Sequence, residues 1–476
     1  MKNEKEILST LELLFHNKKI STIKKQNLNI LKNWYYSVIS NYKKIHLELK
    51  KDKHVEKFIE QKNQEKQNII FPEILRKFLE NKNKIKPILE KNINQTNQKI
   101  LNFIETTTTT NNIISEFSTI YNLYSNDIYN LLNQIGILLS NKNNNISYNN
   151  FCPIEIKLEI ERGFIYTYSY NYTYQKIKLN IIIHSNHKLS NKELLTVLTR
   201  SYFIPIYYQD TKPLIIEIYL TNIKKIKTTN DNYFGSKEIN SGSTDGNKIT
   251  IWRREEFLKL ILHESIHYYQ LDNSFKFILD ERNLKQKIDC HFQTNNDSGY
   301  RIYETFTETL ALLFNTMFLS NDFEYFLELL ENEKKFSIFQ TSKILKNLGI
   351  TTFNDFIINT NDKNKCLELR IIKKNNQLNQ KTSVLEYFIL KTASIINLDK
   401  YIEYQINKGG NEFYISKKGI ELNNIDVYYD MLHSIIIDNN NYFQKNVNMC
   451  LKLLMNHNIY HNIKKEHLET FRLTLF

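Results

Sequence analysis

The chain is 476 residues long, with 64 Lys and Arg against 51 Asp and Glu, a formal net charge of +13, and 41% hydrophobic residues. That length is too great for one hydrophobic core, so two or three folded units are expected. No apolar run approaches the length of a membrane span, and Met1-Lys2-Asn3-Glu4-Lys5-Glu6 lacks the apolar core of a secretory signal, so neither a transmembrane segment nor a signal peptide is expected.

Four cysteines, Cys152, Cys290, Cys366 and Cys450, are widely scattered without a C-x-x-C pair. They are expected as reduced thiols in an intracellular, reducing compartment, the cytoplasm or a virion. The positive charge is concentrated, since residues 1–100 carry 22 Lys and Arg against 11 Asp and Glu. Nucleic acid, an anionic membrane surface or an acidic protein would each be attracted to such a region. Lys and Glu are interspersed there at helical spacing without a nucleic-acid motif, and a solvated helical face is the preferred reading. Abundant Asn, Lys and Ile with only 10 Gly fit an AT-rich coding bias, which lowers the weight of composition.

Along the chain, apolar positions fall at helical spacing through residues 1–150, for example Leu8, Leu11, Leu14 and Phe15, then Ile120, Leu123, Ile128 and Leu131. The patches Thr106–Thr110 and Asn141–Asn145 read as loops. After Cys152-Pro153 the pattern changes to period two: Ile154, Ile156, Leu158 and Ile160 alternate with Glu and Lys, and residues 164–174 alternate aromatic with polar. Further strands are expected at Leu179–His184 and Leu214–Leu220, with a helix around Leu194–Leu198 between them. Asn240–Gly246 and Lys248–Ile251 read as strand, Asp-Gly turn and strand before a helix from about Arg254 to Leu271. All five prolines lie at or before Pro213, and residues 321–476 read mainly as helices.

Within the helix over 254–271 stands His263-Glu264-Ser265-Ile266-His267. Residues four apart share a helix face, so the two imidazoles converge on one ion, and Glu264, turned by roughly 100°, reaches a water on that ion. Zinc lowers the pKa of such a water and the carboxylate takes its proton during attack on a carbonyl. An accidental HExxH arises in a chain of this size with a probability of roughly 2%, and two histidines can also be ordinary packed side chains. Context favours the metal: Leu258, Leu260, Ile261, Leu262 and Ile266 set an apolar side beside the histidine stripe.

A catalytic zinc keeps three protein ligands and one open position. No His, Asp or Glu follows His267 at the short glycine-containing interval of a metzincin. Further on, Glu304, Glu308 and Ala311 share one face of a helix whose apolar stripe is Phe306, Leu310, Leu313 and Met317. Two acids and a small residue suit a close approach to a metal-bearing helix, with either acid able to serve. Cys290 and His291 are rival ligands or donors, but neighbours in sequence seldom converge on one ion.

HExxH followed by Glu304-x-x-x-Glu308 resembles the gluzincin group of zinc metallopeptidases and is similar in motif layout to the protease domain of anthrax lethal factor. The run from Asn240 to Ala311 also looks like putative metallopeptidases of large eukaryotic DNA viruses. The resemblance implies that His263, His267 and Glu304 hold Zn2+ and that Glu308 steadies a ligand imidazole. It also implies a Tyr or His donor for the oxyanion, for which Tyr300 is the candidate and Tyr303 an alternative. An edge strand above the metal would bind substrate by β-addition, and residues 233–241 are the candidate.

The expected fold is α+β. It comprises a basic helical domain over 1–150, a zincin-like domain over 151–320 with a small mixed sheet, and a helical part over 321–476. The expected function is a zinc-dependent peptidase acting on a protein or peptide substrate, with Glu264 assisting attack of a zinc-bound water. The alternative is a binding or structural protein that keeps the fold and uses its basic N-terminal region for interaction.

Overall fold

The helix Lys25–Lys51 carries Leu31, Trp34, Tyr35, Val38, Ile39, Ile45 and Leu49 on its buried side, a stripe that needs a partner surface. The computed structural model describes residues 2–16, 18–63, 76–91, 95–106, 128, 131, 151–227, 233–272, 281–296, 299–358, 360, 362–372, 377–409, 425–438 and 442–476. In it that stripe packs on the helix Asn191–Tyr207 and on the helix Tyr303–Leu319. Trp34 meets Phe314 with ring centroids 5.5 Å apart, Tyr42 stacks on Phe318 at 3.9 Å, and the Tyr35 hydroxyl lies 3.0 Å from Ser320 Oγ.

The chain accordingly divides differently from the expected three domains. One unit joins residues 1–59, 169–183 and 189–476, and the other joins 60–168 with 184–188. Periodicity identifies the apolar side of a helix but not the surface that covers it, so the first helices were separable in sequence and are not in space. In the smaller unit, helix Lys82–Lys91 packs on Gln95–Thr106 through Ile85, Leu89, Ile100 and Phe103. Ile128 and Leu131 are buried. Ile120, Leu123, the patch 141–145 and all of the patch 106–110 except Thr106 lie outside the described residues.

Ile154–Arg162 is a helix, where alternation had indicated a strand. Ile156 and Ile160 are both buried and also satisfy the i, i+4 spacing of a helix face. Pro153 stands at the N-cap and Gly163, with φ of 85°, follows the last residue, the punctuation of a short helix. The aromatic alternation does form strand β2 (Tyr166–Tyr174), paired through a Gln175-Lys176 turn with β3 (Ile177–Ser185).

With β1 (Ile59–Lys62), β4 (Leu214–Tyr219), β6 (Gly242–Asp245) and β7 (Lys248–Ile251), these strands form a six-stranded mixed sheet in the order β1-β2-β3-β4-β7-β6. β4 and β7 are parallel with Ile216 opposite Ile249, and β6 and β7 are an antiparallel hairpin with Thr244 opposite Ile249. The edge beside the HExxH helix is therefore β6, which corrects the expectation of 233–241. Tyr233–Phe234 is instead a two-residue strand, β5, and Ser236–Ile239 a helical turn closed by Glu238 on the Gly235 amide at 3.0 Å. Arg253 fixes that turn by donating to the carbonyls of Asn240, Ile223 and Lys237.

β5 belongs to a second sheet with β8 (Thr294–Asn295) and β9 (Leu378–Gln380), all parallel in the order β5-β9-β8. Each strand leads into one part of the site described below: β5 toward the edge strand β6, β8 toward the helix Tyr303–Leu319, and β9 into a π-helical turn, Leu385–Leu390. Helices otherwise dominate the described residues after 321, the longest being Phe323–Asn347, whose N-cap Asp322 accepts from the Tyr325 amide.

Cys290 and Cys366 form a disulfide, while Cys152 and Cys450 are free and buried. This corrects the reading of four reduced thiols. The paired cysteines are 76 residues apart in sequence with Cα atoms 5.2 Å apart. They are brought together by the Ile358 amide on the His291 carbonyl at 2.9 Å and the Thr360 amide on the Cys290 carbonyl at 3.1 Å, contacts that no cysteine spacing reveals.

Trp34→Ala removes a buried indole from the seam with Phe314 and is expected to cost about 3–5 kcal/mol, read as a lowered urea midpoint by circular dichroism. An N-terminal domain independent of the site would instead leave the unfolding of the larger unit unchanged.

Candidate metal centre

The motif helix, Phe257–Tyr268, is shorter at both ends than the sequence indicates. Glu255 and Glu256 precede it and turn to Lys225, whose amide and ammonium they accept at 2.9 and 2.6 Å. At the other end Gln270 has φ of 59° and the Leu271 amide returns to the Ile266 carbonyl at 3.0 Å, a Schellman-type stop. That reversal brings Asp272 back to the helix, where its Oδ2 lies 2.7 Å from His267 Nδ1.

Packed against it is the glutamate helix, Tyr303–Leu319, with Ala311 fully buried. Glu308 reaches across with Oε2 2.9 Å from His263 Nδ1 and Oε1 2.5 Å from Lys259 Nζ. Each imidazole thus turns its Nδ1 to a carboxylate and its Nε2 toward the other imidazole, the outer-shell arrangement that metal-binding histidines have.

The two Nε2 atoms meet at one place. His263 Nε2 and His267 Nε2 are 3.1 Å apart, and Glu304 Oε2 lies 3.1 Å from the second and 3.4 Å from the first. Ligands at about 2.0–2.1 Å from a tetrahedral ion are separated by about 3.3 Å, so the triangle fits zinc. Among the described residues, His263, His267 and Glu304 are the group of three whose donor atoms can hold an ion.

The electrostatics agree with a site built for a cation. Burial acts to lower the His267 pKa, but Glu304 and Asp272 hold it well above the ordinary value, and His263 is raised by Glu304 and Glu308 against the same burial. Burial would raise the Glu304 carboxyl, yet His267 and His263 hold it well below the usual range. Glu308 is likewise taken down to about 2, against burial, chiefly by Lys259 and His263. Carboxylates crowd the imidazoles, and positive charge is favoured between them.

Glu264 is buried and makes no part of the triangle. Its Oε2 accepts from Thr244 Oγ1 at 2.8 Å, and a Cβ placed on Gly242 would stand 2.8 Å from its Oε1. Edge strand and carboxylate are therefore in close contact, with a glycine where no side chain fits. Burial pushes the Glu264 carboxyl up, opposed by His263 and His267.

The tyrosine that reaches the triangle is Tyr387, whose hydroxyl donates to Glu304 Oε2 at 3.0 Å and whose ring lies 5.9 Å from that of His263. It sits in the π-helical turn, a distortion frequent at functional sites. Tyr300 is not brought there: its hydroxyl donates to Asp289 Oδ1 at 2.6 Å. Tyr303 packs edge-on to His267 at 6.1 Å. His291 stacks on His433 at 3.7 Å and shares a hydrogen with Tyr429, and Cys290 is in the disulfide, so neither joins the triangle. Sequence reasoning missed Asp272, Thr244 and Tyr387. Only Asp272 left a trace, as an acid just beyond the motif helix.

Glu386, next to Tyr387, accepts from the Arg301 amide at 2.8 Å and from Gln380 Nε2 at 3.2 Å, anchoring the head of the glutamate helix. Burial raises its carboxyl from 4.5 to about 7.

Elemental analysis is expected to find one zinc per wild-type chain and none in His267→Ala. Glu304→Ala should weaken zinc more than Glu308→Ala, and Asp272→Asn should lower affinity by about 10–100-fold. Because the Glu386 pKa is raised on folding, its contribution is fully present below pH 4.5 and is lost as pH rises through about 7. Glu386→Gln should flatten the metal-free stability profile across that window by on the order of 3 kcal/mol.

No family model matches the chain, and no solved structure matches it. The chain is similar to an uncharacterized protein of Acanthamoeba polyphaga mimivirus, 25% identical over 351 residues that cover 67% of this chain and 79% of the relative.

Proposed function

We propose that this chain is a zinc-dependent peptidase of the gluzincin type, with His263, His267 and Glu304 as the metal ligands. The observation that carries the proposal is the pairing of a three-donor triangle with Glu264, a buried carboxylate held beside the triangle and outside it. A structural zinc site closes its fourth position with another side chain and has no use for a base. Three donors and an adjacent carboxylate suit hydrolysis better than the alternative of a binding protein with a structural ion.

When bound, zinc would supply a Lewis acid that polarises the substrate carbonyl and acidifies water. Glu264 takes the proton of the attacking water and passes it to the leaving amine. Thr244 holds the Glu264 carboxylate by its Oε2, and Gly242 leaves room for the other oxygen. Strand β6 ends the sheet order, and its main chain suits an added extended peptide. Register supports this: the Trp252 amide bonds to the Ser241 carbonyl at 2.9 Å, so by antiparallel alternation Gly242 and Thr244 direct their peptide groups away from β7. In this reading Tyr387, not Tyr300, donates to the oxyanion, a role supported by its hydroxyl reaching the triangle at Glu304 Oε2.

No helix among the described residues is long and apolar enough to cross a membrane. The viral relative agrees with the viral character expected from the motif context.

Zinc-loaded protein incubated with a proteome-derived peptide mixture should generate new N-termini detectable by mass spectrometry. Glu264→Gln should keep its zinc and lose about 10²–10⁴-fold in rate, and retained activity in that variant would sink the mechanism. Tyr387→Phe should lower kcat by about 10²–10³-fold with KM nearly unchanged, whereas Tyr300→Phe should leave kcat intact.

A further inference from the structure

Lys259 stands one turn before His263 on the motif helix, and nothing in HExxH chemistry calls for a lysine there. Its side chain and that of Glu308 are both 0% exposed, with Nζ 2.5 Å from Glu308 Oε1. The other oxygen of the same carboxylate, Oε2, lies 2.9 Å from His263 Nδ1. One carboxylate from the facing helix therefore bridges a lysine and a metal-ligand imidazole.

Hydrogen-bond inventory fixes the directions. An ammonium has donors and no acceptor, so Oε1 accepts from Lys259 and the carboxylate remains an acceptor at Oε2. In its neutral, metal-binding form His263 then carries its hydrogen on Nδ1 and presents a bare Nε2. A group that donated to Nδ1 would move the hydrogen to Nε2 and turn a donor toward the metal position. Lys391, another buried cation of this region, spends its hydrogen bonds on Ser337 Oγ at 3.0 Å and the Leu473 carbonyl at 2.9 Å.

We propose that Lys259 is a positioning residue for the metal centre: by claiming one oxygen of Glu308 it keeps the other as acceptor for His263, and so holds His263 in its metal-binding tautomer. This rests on the metal site proposed above, though not on peptide hydrolysis. The chain supplies its own control in Lys225 and Glu256, an equally buried pair at 2.6 Å with both side chains 0% exposed. Glu256 receives the Thr474 amide at 2.8 Å and holds no ligand.

The test is Zn2+ affinity of the full chain by competition with a chromogenic chelator, with thermal unfolding of the metal-free protein measured beside it. Lys259→Met is expected to lose at least about tenfold in affinity, and Lys225→Met to lose stability while keeping affinity. In Glu308→Gln, Lys259 claims the amide oxygen and leaves the NH2 facing Nδ1, which imposes the wrong tautomer. Adding Lys259→Met frees that amide to turn, so the double variant should bind zinc more tightly than Glu308→Gln alone. A packing role predicts the opposite order, and this comparison decides the matter if Lys259→Met alone does not fold. The proposal is overturned by Lys259→Met within twofold of wild type, by an equal loss in Lys225→Met, or by a double variant no tighter than Glu308→Gln. Wild type without zinc would overturn the metal reading and this proposal together, whereas zinc binding indifferent to Lys259 would remove this one alone.

Discussion

Two buried carboxylates, Glu308 and Asp272, accept the Nδ1 hydrogens of His263 and His267, and the remaining features of the centre follow from that constraint. With Nδ1 committed, each imidazole has one nitrogen left, and the helical spacing of four aims both at one point. Placing ionised carboxylates in an interior costs several kcal/mol each unless they are paired. Lys259 meets that requirement for Glu308. The close approach of the two helices, with Ala311 fully buried on the second, keeps these bonds short.

The same solution recurs in the surrounding core. Glu256 accepts the Leu473 and Thr474 amides, and Glu333 accepts the Leu475 amide at 3.1 Å. Lys343 donates to the His467 and Thr470 carbonyls. The Phe471 amide bonds to the Lys225 carbonyl at 2.8 Å, and after it acidic side chains satisfy the Leu473, Thr474 and Leu475 amides that a β-ladder would otherwise serve. Glu256, which stands at the N-cap of the motif helix, is thereby tied to the segment Phe471–Leu475.

What was legible in the sequence was local. His263, Glu264 and His267 lie within five residues, and Glu304, Glu308 and Ala311 within eight, so helical periodicity alone put the two histidines on one face with Glu264 turned beside it, and Glu304, Glu308 and Ala311 on one face of the second helix. β2 was likewise visible as a period-two run, β3 and β4 as strand candidates, and the β6–β7 hairpin from its Asp-Gly turn. Features that need a reversal or a distant partner were not. Asp272 depends on a left-handed Gln270, Tyr387 on a π-helical turn 83 residues beyond Glu304, and the Cys290–Cys366 pair on backbone contacts around Ile358. Ile154–Arg162 shows the remaining ambiguity, since Ile156 and Ile160 satisfy both the strand and the helix period, and Pro153 and Gly163 decide between them.

The small sheet has an uncommon order of assembly. Its central strand, β9, is the last of the three in sequence, so β5 and β8 have no neighbour to pair with until residues 378–380 exist. At about 5–20 residues per second, a ribosome needs on the order of ten seconds to travel from β5 to β9. During that interval the edge strand, the glutamate helix and the tyrosine cannot be drawn together by this sheet. A nascent chain thus carries its HExxH helix well before it carries a finished cleft, and a hydrolytic site would come into being only once most of the polypeptide has been made.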